Sequence, residues 1–210
     1  MRKTLILVLF PVVIVLLSVR LAFTEFFVEW EYSKDDFPKD RWGLSNELRL
    51  QIAKLGLRAV LSDSGMKEFK ASGLFGNREI KHMQDVKKLL SFLFSLLYAL
   101  TPVMLILLLS LRSVRRIGWM LLLSSLIVYG IGIFFILLSF VDYDWLFTTF
   151  HNYVFGPYSW RFRDTDMLLR VYPMRFWFDA TIFTLVLTFV ITGILQIVGF
   201  LLLIINRSRR

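Results

Sequence analysis

Two histidines, His82 and His151, are the residues of this chain best suited to acid–base chemistry. The unperturbed pKa of histidine lets the side chain take and return protons near neutral pH, as reactions of esters and amides require. Cysteine is absent, which excludes disulfides, thiol catalysis and cysteine-based zinc sites. Gly-x-Ser-x-Gly elements and phosphate-binding glycine loops are absent too. The pair therefore indicates general acid–base catalysis, unless the two histidines occupy their segments independently.

Carboxylates accompany His82 at helical spacing. Glu79 and Asp85 lie three residues to either side, so on a helix all three side chains share one face. A carboxylate there could accept a hydrogen bond from one ring nitrogen and leave the other for chemistry; the alternative is an ordinary solvated face. A metal would need both histidines and Asp85, Asp164 or Asp166 to converge, and no histidine spacing supports that. We expect neither a metal nor another cofactor.

His151 lies in an unusually aromatic segment. Seven aromatic residues stand between Asp144 and Arg161, namely Trp145, Phe147, Phe150, Tyr153, Phe155, Tyr158 and Trp160. The segment is too short to span a membrane and too apolar for bulk water, so we expect it in the membrane interface. The polar stretch that follows carries Arg161, Arg163, Arg170, Arg175, Asp164, Asp166 and Asp179. Its arginines either hold lipid headgroups or pair with these aspartates.

The elements that must position these residues are membrane helices. Hydrophobic residues make up 57% of the 210 residues, more than a soluble core needs. Four apolar stretches are long enough to cross a hydrocarbon core of about 30 Å, which takes roughly 20 helical residues; they are 4–23, 89–111, 117–140 and 180–205. We predict an all-α integral membrane protein with four transmembrane helices. The first stretch is too long for a signal peptide and is interpreted as an uncleaved anchor.

The net charge of +9 indicates orientation and not nucleic-acid binding. Eight basic residues without acidic neighbours flank the apolar stretches on one side: Arg2, Lys3, Arg112, Arg115, Arg116, Arg207, Arg209 and Arg210. By contrast, 24–88 and 141–179 are close to neutral. The positive-inside rule therefore places both termini and the 112–116 turn in the cytoplasm, and both histidines on the outer side.

The predicted organisation has five parts. They are transmembrane helix 1 (1–23), a small extracytoplasmic insert (24–88), transmembrane helices 2 and 3 (89–140, with the cytoplasmic turn 112–116), an extracytoplasmic interfacial loop (141–179), and transmembrane helix 4 with a basic tail (180–210). Within the insert, an amphipathic helix capped by Ser45 is predicted to run to about Leu61. The charged segment 77–88 is predicted to continue as a helix into the second apolar stretch.

The residues around both histidines form a recognisable pattern. The first element reads Glu79-Ile80-Lys81-His82-Met83-Gln84-Asp85-Val86-Lys87; the later ones read Phe150-His151-x-x-x-Phe155-x-x-x-x-Trp160, Asp166-x-Leu168 and Pro173-x-x-Phe176-x-x-Asp179. Together they resemble the bacterial lipoprotein intramolecular transacylase family over nearly the full chain. Arg163-Asp164 departs from the pattern, because a proline-containing turn is expected there.

The resemblance implies an acyl transfer within one lipoprotein of the bacterial plasma membrane. The sn-2 acyl chain of a diacylglyceryl lipoprotein would move to the α-amino group of its N-terminal cysteine, giving the lyso form. We assign the proton transfers to His151, because its aromatic surroundings favour a neutral imidazole. His82 would stabilise charge or position the amine, and Asp85 would orient His82. The supporting residues implied are Glu79, Met83, Phe155, Trp160, Arg161, Arg163, Asp166 and Asp179.

The expected partners are the diacylated lipoprotein and membrane lipids, without nucleic acid, and the sequence gives no indication of oligomeric state. One alternative is a non-catalytic membrane module that binds lipid or a partner protein through the aromatic loop. Such a module would tolerate changes at either histidine. A second alternative, a metal-dependent membrane hydrolase, would be inhibited by chelators.

Overall fold

The computed structural model describes residues 1–208, which form helices and no strand. The helices are α1 Arg2–Ala22, α2 Glu25–Tyr32, α3 Asn46–Leu61, α4 Asp63–Ala71, α5 Asn77–Leu109, α6 Val114–Val141, α7 Tyr143–Phe155, α8 Met167–Val171 and α9 Met174–Ser208. Four of them, α1, α5, α6 and α9, contain stretches long and apolar enough to cross a membrane, which confirms the predicted fold class. Arg209 and Arg210 of the predicted basic tail lie outside the described residues.

One compact unit consists of Met1–Ala22, Leu93–Leu137 and the chain from Phe183 onward. Its buried core is aliphatic and aromatic, with Phe10 and Val128 among the fully packed side chains. The hydroxyl of Tyr129 on α6 donates to Oε1 of Gln196 on α9 at 3.0 Å, the helix-to-helix hydrogen bond expected of a polar residue within a span.

A second unit consists of Phe23–Phe92 and Leu138–Ile182, and so contains both histidines. Ser45 caps α3 by accepting from the backbone N–H of Leu48 at 3.2 Å, as predicted. The predicted continuity of 77–88 with the second apolar stretch is also confirmed, because α5 begins at Asn77. Most of the aromatic segment around His151 is helical as well, forming α7 behind an Asp142 cap.

Buried polar contacts join the two sequence segments of this unit. The guanidinium of Arg49, 1% exposed, donates to the carbonyl of Arg170 at 2.8 Å. The hydroxyl of Tyr172 donates to the carbonyl of Ala53 at 2.6 Å. Arg170 in turn donates twice to the carboxylate of Asp40, and these hydrogen bonds lower the pKa of Asp40 to about 2. Segments more than 100 residues apart are thus fixed against each other, since these bonds join residues 119, 121 and 130 positions apart.

Candidate functional site

The two histidines lie side by side. His82 is on the first turns of α5 and His151 is on α7, and their ring centroids are 6.1 Å apart with planes inclined by 32°. A single substrate atom can hydrogen-bond to both rings only if the two ring nitrogens lie within about 6 Å of each other, which is twice the usual hydrogen-bond length of about 2.9 Å. The separation is therefore short enough for a single substrate group to contact both imidazoles.

A backbone contact fixes the tautomer of His151. Nδ1 lies 2.8 Å from the carbonyl oxygen of Phe147, and because a carbonyl only accepts, Nδ1 carries the hydrogen. In the neutral ring Nε2 then holds the free lone pair. The ring of Phe147 lies against the imidazole, with centroids 3.9 Å apart and planes inclined by 30°, and the ring of Trp160 lies 4.9 Å away. Burial lowers the pKa of His151, and the hydrogen bond to Phe147 opposes this only in part. The arrangement favours a neutral imidazole that can accept a proton.

His82 is held by aromatic edges and has an open hydrogen-bonding position. The rings of Phe155 and Phe162 meet it edge to face, at 5.0 and 5.5 Å. Its Nδ1 is buried and has no hydrogen-bond partner among the described side chains and backbone groups. His82 lies before the apolar stretch that begins at Leu89. Burial is the main cause that lowers the pKa of His82 to about 4, and the neighbouring His151 adds to this effect. A buried polar atom without a partner is uncommon and is typical of a site that binds a further group.

Asp85 does not make the hydrogen bond to His82 that the sequence predicts. Its carboxylate accepts from Nζ of Lys81 at 2.9 Å and lies 3.6 Å from that of Lys88. The two lysines, four residues before and three after, compete for the carboxylate because they share its helix face. Asp85 still raises the pKa of His82 slightly through its charge, although burial and His151 outweigh it.

Glu79 is buried and binds backbone instead of an imidazole. Its carboxylate accepts from the N–H of Leu168 at 2.7 Å and from that of Gly76 at 2.6 Å. Asp166, two residues before Leu168, accepts from the N–H of Arg163 at 2.8 Å. Glu79 therefore attaches the Asp-x-Leu element to the start of α5, one turn before His82, and Asp166 closes the turn that precedes this element.

The remaining expected residues divide into two groups. Phe155 and Trp160 contact the histidines, and Met83 is buried beside His82 in the chain. Arg161 is exposed and lies over the Trp160 ring at 5.5 Å, and Arg163 is exposed too. Asp179 accepts from Lys34 at 2.9 Å and from Arg175 at 2.7 Å, and from no histidine among the described residues.

Two residues of the site were not expected from the sequence. Phe162 supplies one of the two aromatic edges against His82, and it lies two residues beyond the aromatic run that ends at Trp160. Arg78, four residues before His82, donates to the carbonyls of Tyr158 at 3.2 Å and Arg161 at 2.6 Å. The position of Arg78 on the histidine face of α5 was the available signal. Its partners are backbone groups, which no sequence pattern displays.

Comparison with known proteins agrees with the pattern around the histidines. The family model described as "Lipoprotein intramolecular transacylase Lit" matches residues 4–177. A protein of Aquifex aeolicus (strain VF5), described as "Uncharacterized protein", is 46% identical over 210 residues, which cover 96% of this chain and 95% of that protein. No solved structure matches. The match over most of the chain shows that this protein belongs to the lipoprotein intramolecular transacylase family.

Proposed function

We propose that this protein transfers the sn-2 acyl chain of a diacylglyceryl lipoprotein to the α-amino group of its N-terminal cysteine. Family membership supports the lipoprotein substrate and the transacylase class. The observation that carries the finer proposal is the pair of adjacent histidines with two open nitrogens, Nε2 of His151 and Nδ1 of His82. We expect the reaction to need no cofactor.

In the proposed reaction His151 transfers the proton. Its Nε2 takes a proton from the substrate amine as nitrogen attacks the ester carbonyl carbon. The tetrahedral intermediate collapses by breaking the bond to the glyceryl sn-2 oxygen, and His151 returns the proton to that oxygen. Starting from the free amine, an amide bond forms, an ester bond breaks and no net proton is released; an α-ammonium group first gives up one proton to solvent. His82, as a neutral ring with one N–H, donates to the oxyanion or orients the amine.

The proposed location follows from depth and charge. His82 lies seven residues before Leu89, about 10 Å along a helix, and acyl esters lie near the boundary between hydrocarbon and headgroups. We propose the outer face of the bacterial plasma membrane, with both termini in the cytoplasm and with 24–88 and 141–179 outside. The lipoprotein substrate would then meet the histidines without leaving the membrane.

Single substitutions test the proposal, with N-acyl lyso-lipoprotein measured by mass spectrometry after incubation with diacylated substrate in liposomes. His151→Ala should lose about 10²–10⁴-fold in rate, the usual contribution of a positioned acid–base group, and His151→Asn should not restore it. His82→Ala should also be severely impaired. Asp85→Asn should retain more activity, because its carboxylate acts on His82 only through charge.

Tyr153→Ala is the matched control, since Tyr153 is 91% exposed on the same helix as His151. This variant should convert the diacylated substrate at the rate of the parent. The lipid-binding alternative is favoured by the exposed aromatic side chains of α7 and predicts the reverse order, with Tyr153→Ala impaired and both histidine variants active. Histidine variants within about threefold of the parent rate, far short of an acid–base loss, would contradict the proposal.

A further inference from the structure

A basic cleft lies away from the histidines. It has a volume of about 750 Å³, within the range of ligand-binding pockets. Residues of α4 and of the first half of α5 line it, namely Asp63, Met66, Lys67, Lys70, Gln84, Lys87, Lys88 and Ser91. Four lysines thus face one aspartate. The lining suits an anionic ligand that also accepts hydrogen bonds from Gln84 and Ser91.

Half of this positive charge is unpaired. Lys87 is bonded to Asp63, and Lys88 lies 3.6 Å from Asp85. Lys67 and Lys70, both on α4 and both exposed, form no ion pair with the side chains of residues 1–205, although the charge of Lys67 helps to lower the pKa of Asp63. Two ammonium groups are therefore available to a ligand without breaking an existing pair.

The cleft stands at the end of an apolar span. Lys87, Lys88 and Ser91 surround Leu89, where the apolar stretch of α5 begins. Phe92, the next residue of the helix, is 63% exposed. Basic side chains directly beside a membrane span are placed to meet the phosphates of lipid headgroups, and the exposed apolar residue to meet acyl chains.

The cleft is distinct from the histidine site. At about 100° per helical residue, Gln84, Lys88 and Ser91 lie about 180–240° around α5 from His82. A ligand in the cleft would therefore contact the opposite face of the helix. Ligand binding in the cleft is therefore independent of acyl transfer at the histidines, and a variant can lose either one and keep the other.

We infer that this cleft binds the phosphate group of an anionic phospholipid, with Lys67 and Lys70 as the principal contacts. Free phosphate has the same chemistry at the lysines. The lipid is the better match because the cleft borders an apolar span, which a free ion would not use. The ligand is thus a lipid of the surrounding membrane, held beside α5 and apart from the acyl-transfer substrate.

Native mass spectrometry of the full-length protein can measure this binding. The protein is released from vesicles of phosphatidylcholine mixed with phosphatidylglycerol, and bound lipids are counted. Removing a lysine near a lipid surface weakens binding about fivefold, so Lys67→Gln with Lys70→Gln should reduce phosphatidylglycerol retention about 30-fold. The control Lys39→Gln with Arg41→Gln removes the same charge from exposed positions outside the cleft and should retain phosphatidylglycerol like the parent. Lys67→Arg with Lys70→Arg preserves the charge and should also retain it.

The results separate the two sources of phosphate. Selective retention of phosphatidylglycerol by the parent that survives an excess of inorganic phosphate supports the lipid site. Loss of that retention when inorganic phosphate is added would overturn it in favour of a free anion. Retention by the Lys67 and Lys70 glutamine variant within about threefold of the parent, less than one lysine contributes, would also overturn it. So would equal loss in the Lys39 and Arg41 control.

Discussion

Replacing Glu79 with glutamine should destabilise the protein although the shape of the side chain is kept. Oε1 of Glu79 accepts from Leu168 and Oε2 accepts from Gly76, in a side chain that is 5% exposed. An amide nitrogen cannot accept a hydrogen bond, so Glu79→Gln leaves one of the two backbone N–H groups without a partner. A hydrogen bond to a charged acceptor contributes about 1.5–3 kcal/mol. We expect a loss of that size, and roughly twice as much for Glu79→Ala.

The same substitution should reduce turnover more than substrate binding. Glu79 attaches Leu168 to the start of α5, and the chain between Trp160 and Leu168 carries Phe162 against His82. Loosening this attachment should therefore increase the mobility of the His82 ring. We expect kcat to fall while KM changes little. When parent and variant are assayed at the same concentration of folded protein, a general loss of folded protein cannot explain a lower kcat.

Chemical unfolding in detergent, followed by tryptophan fluorescence, measures the first effect, and initial rates across substrate concentration measure the second. Glu68→Gln is the control, because Glu68 is exposed and pairs with Arg58 at 3.7 Å. Exposed pairs contribute about 0–1 kcal/mol. If Glu79→Gln unfolds within about 0.5 kcal/mol of the parent, below the cost of one lost charged hydrogen bond, the assigned role of Glu79 is wrong.

Two further predictions concern pH and topology. Burial raises the pKa of Glu31 from 4.5 to about 7, so the stability this group contributes at low pH is lost as the pH rises through about 7. The two buried histidines have the opposite trend in parent and variant alike, so urea unfolding from pH 5 to 8 should show the parent losing stability relative to Glu31→Gln, and parallel curves would refute it. The pKa of Asp179 is lowered, so its contribution is lost only at more acidic pH and leaves that window unaffected. For topology, cysteines introduced at Ser64 and Ser159 should react with an impermeant thiol reagent from outside, whereas one at Ser113 should not; the opposite labelling would invert the orientation.

The helices of this protein could be predicted because their signals are local. Apolar length identifies the spans, and the Ser45 cap and the uninterrupted 77–88 segment indicate where α3 and α5 begin. The adjacency of His82 and His151 was predicted only through their shared depth and the family resemblance. Depth restricts both residues to one layer, but it does not bring them within 6.1 Å of each other. That distance depends on how α5 and α7 pack.

Choices between competing partners could not be predicted. Spacing placed Asp85 one helical turn from His82, but Lys81 and Lys88, four residues before and three residues after Asp85, take its carboxylate. Arg170 was expected to bind lipid or a nearby aspartate, and it pairs with Asp40, 130 residues away. Arg175 does pair with Asp179, one turn along its own helix, as the spacing allowed. Local pairs follow from the sequence, whereas distant ones require the tertiary fold.

The burial of both histidines has a consequence for the proposed reaction. Desolvation lowers the pKa of each ring, and the proximity of His151 lowers that of His82 further, so the site favours the neutral form of both imidazoles. Because like charges this close repel, protonation of one ring opposes protonation of the other. The pair can therefore hold one extra proton at a time. Aminolysis of an ester moves one proton, from the amine to the departing oxygen, so a base that can give the proton up again is suited to the reaction. A strongly basic site would retain that proton, and the weak basicity of this pair favours its return to the glyceryl oxygen.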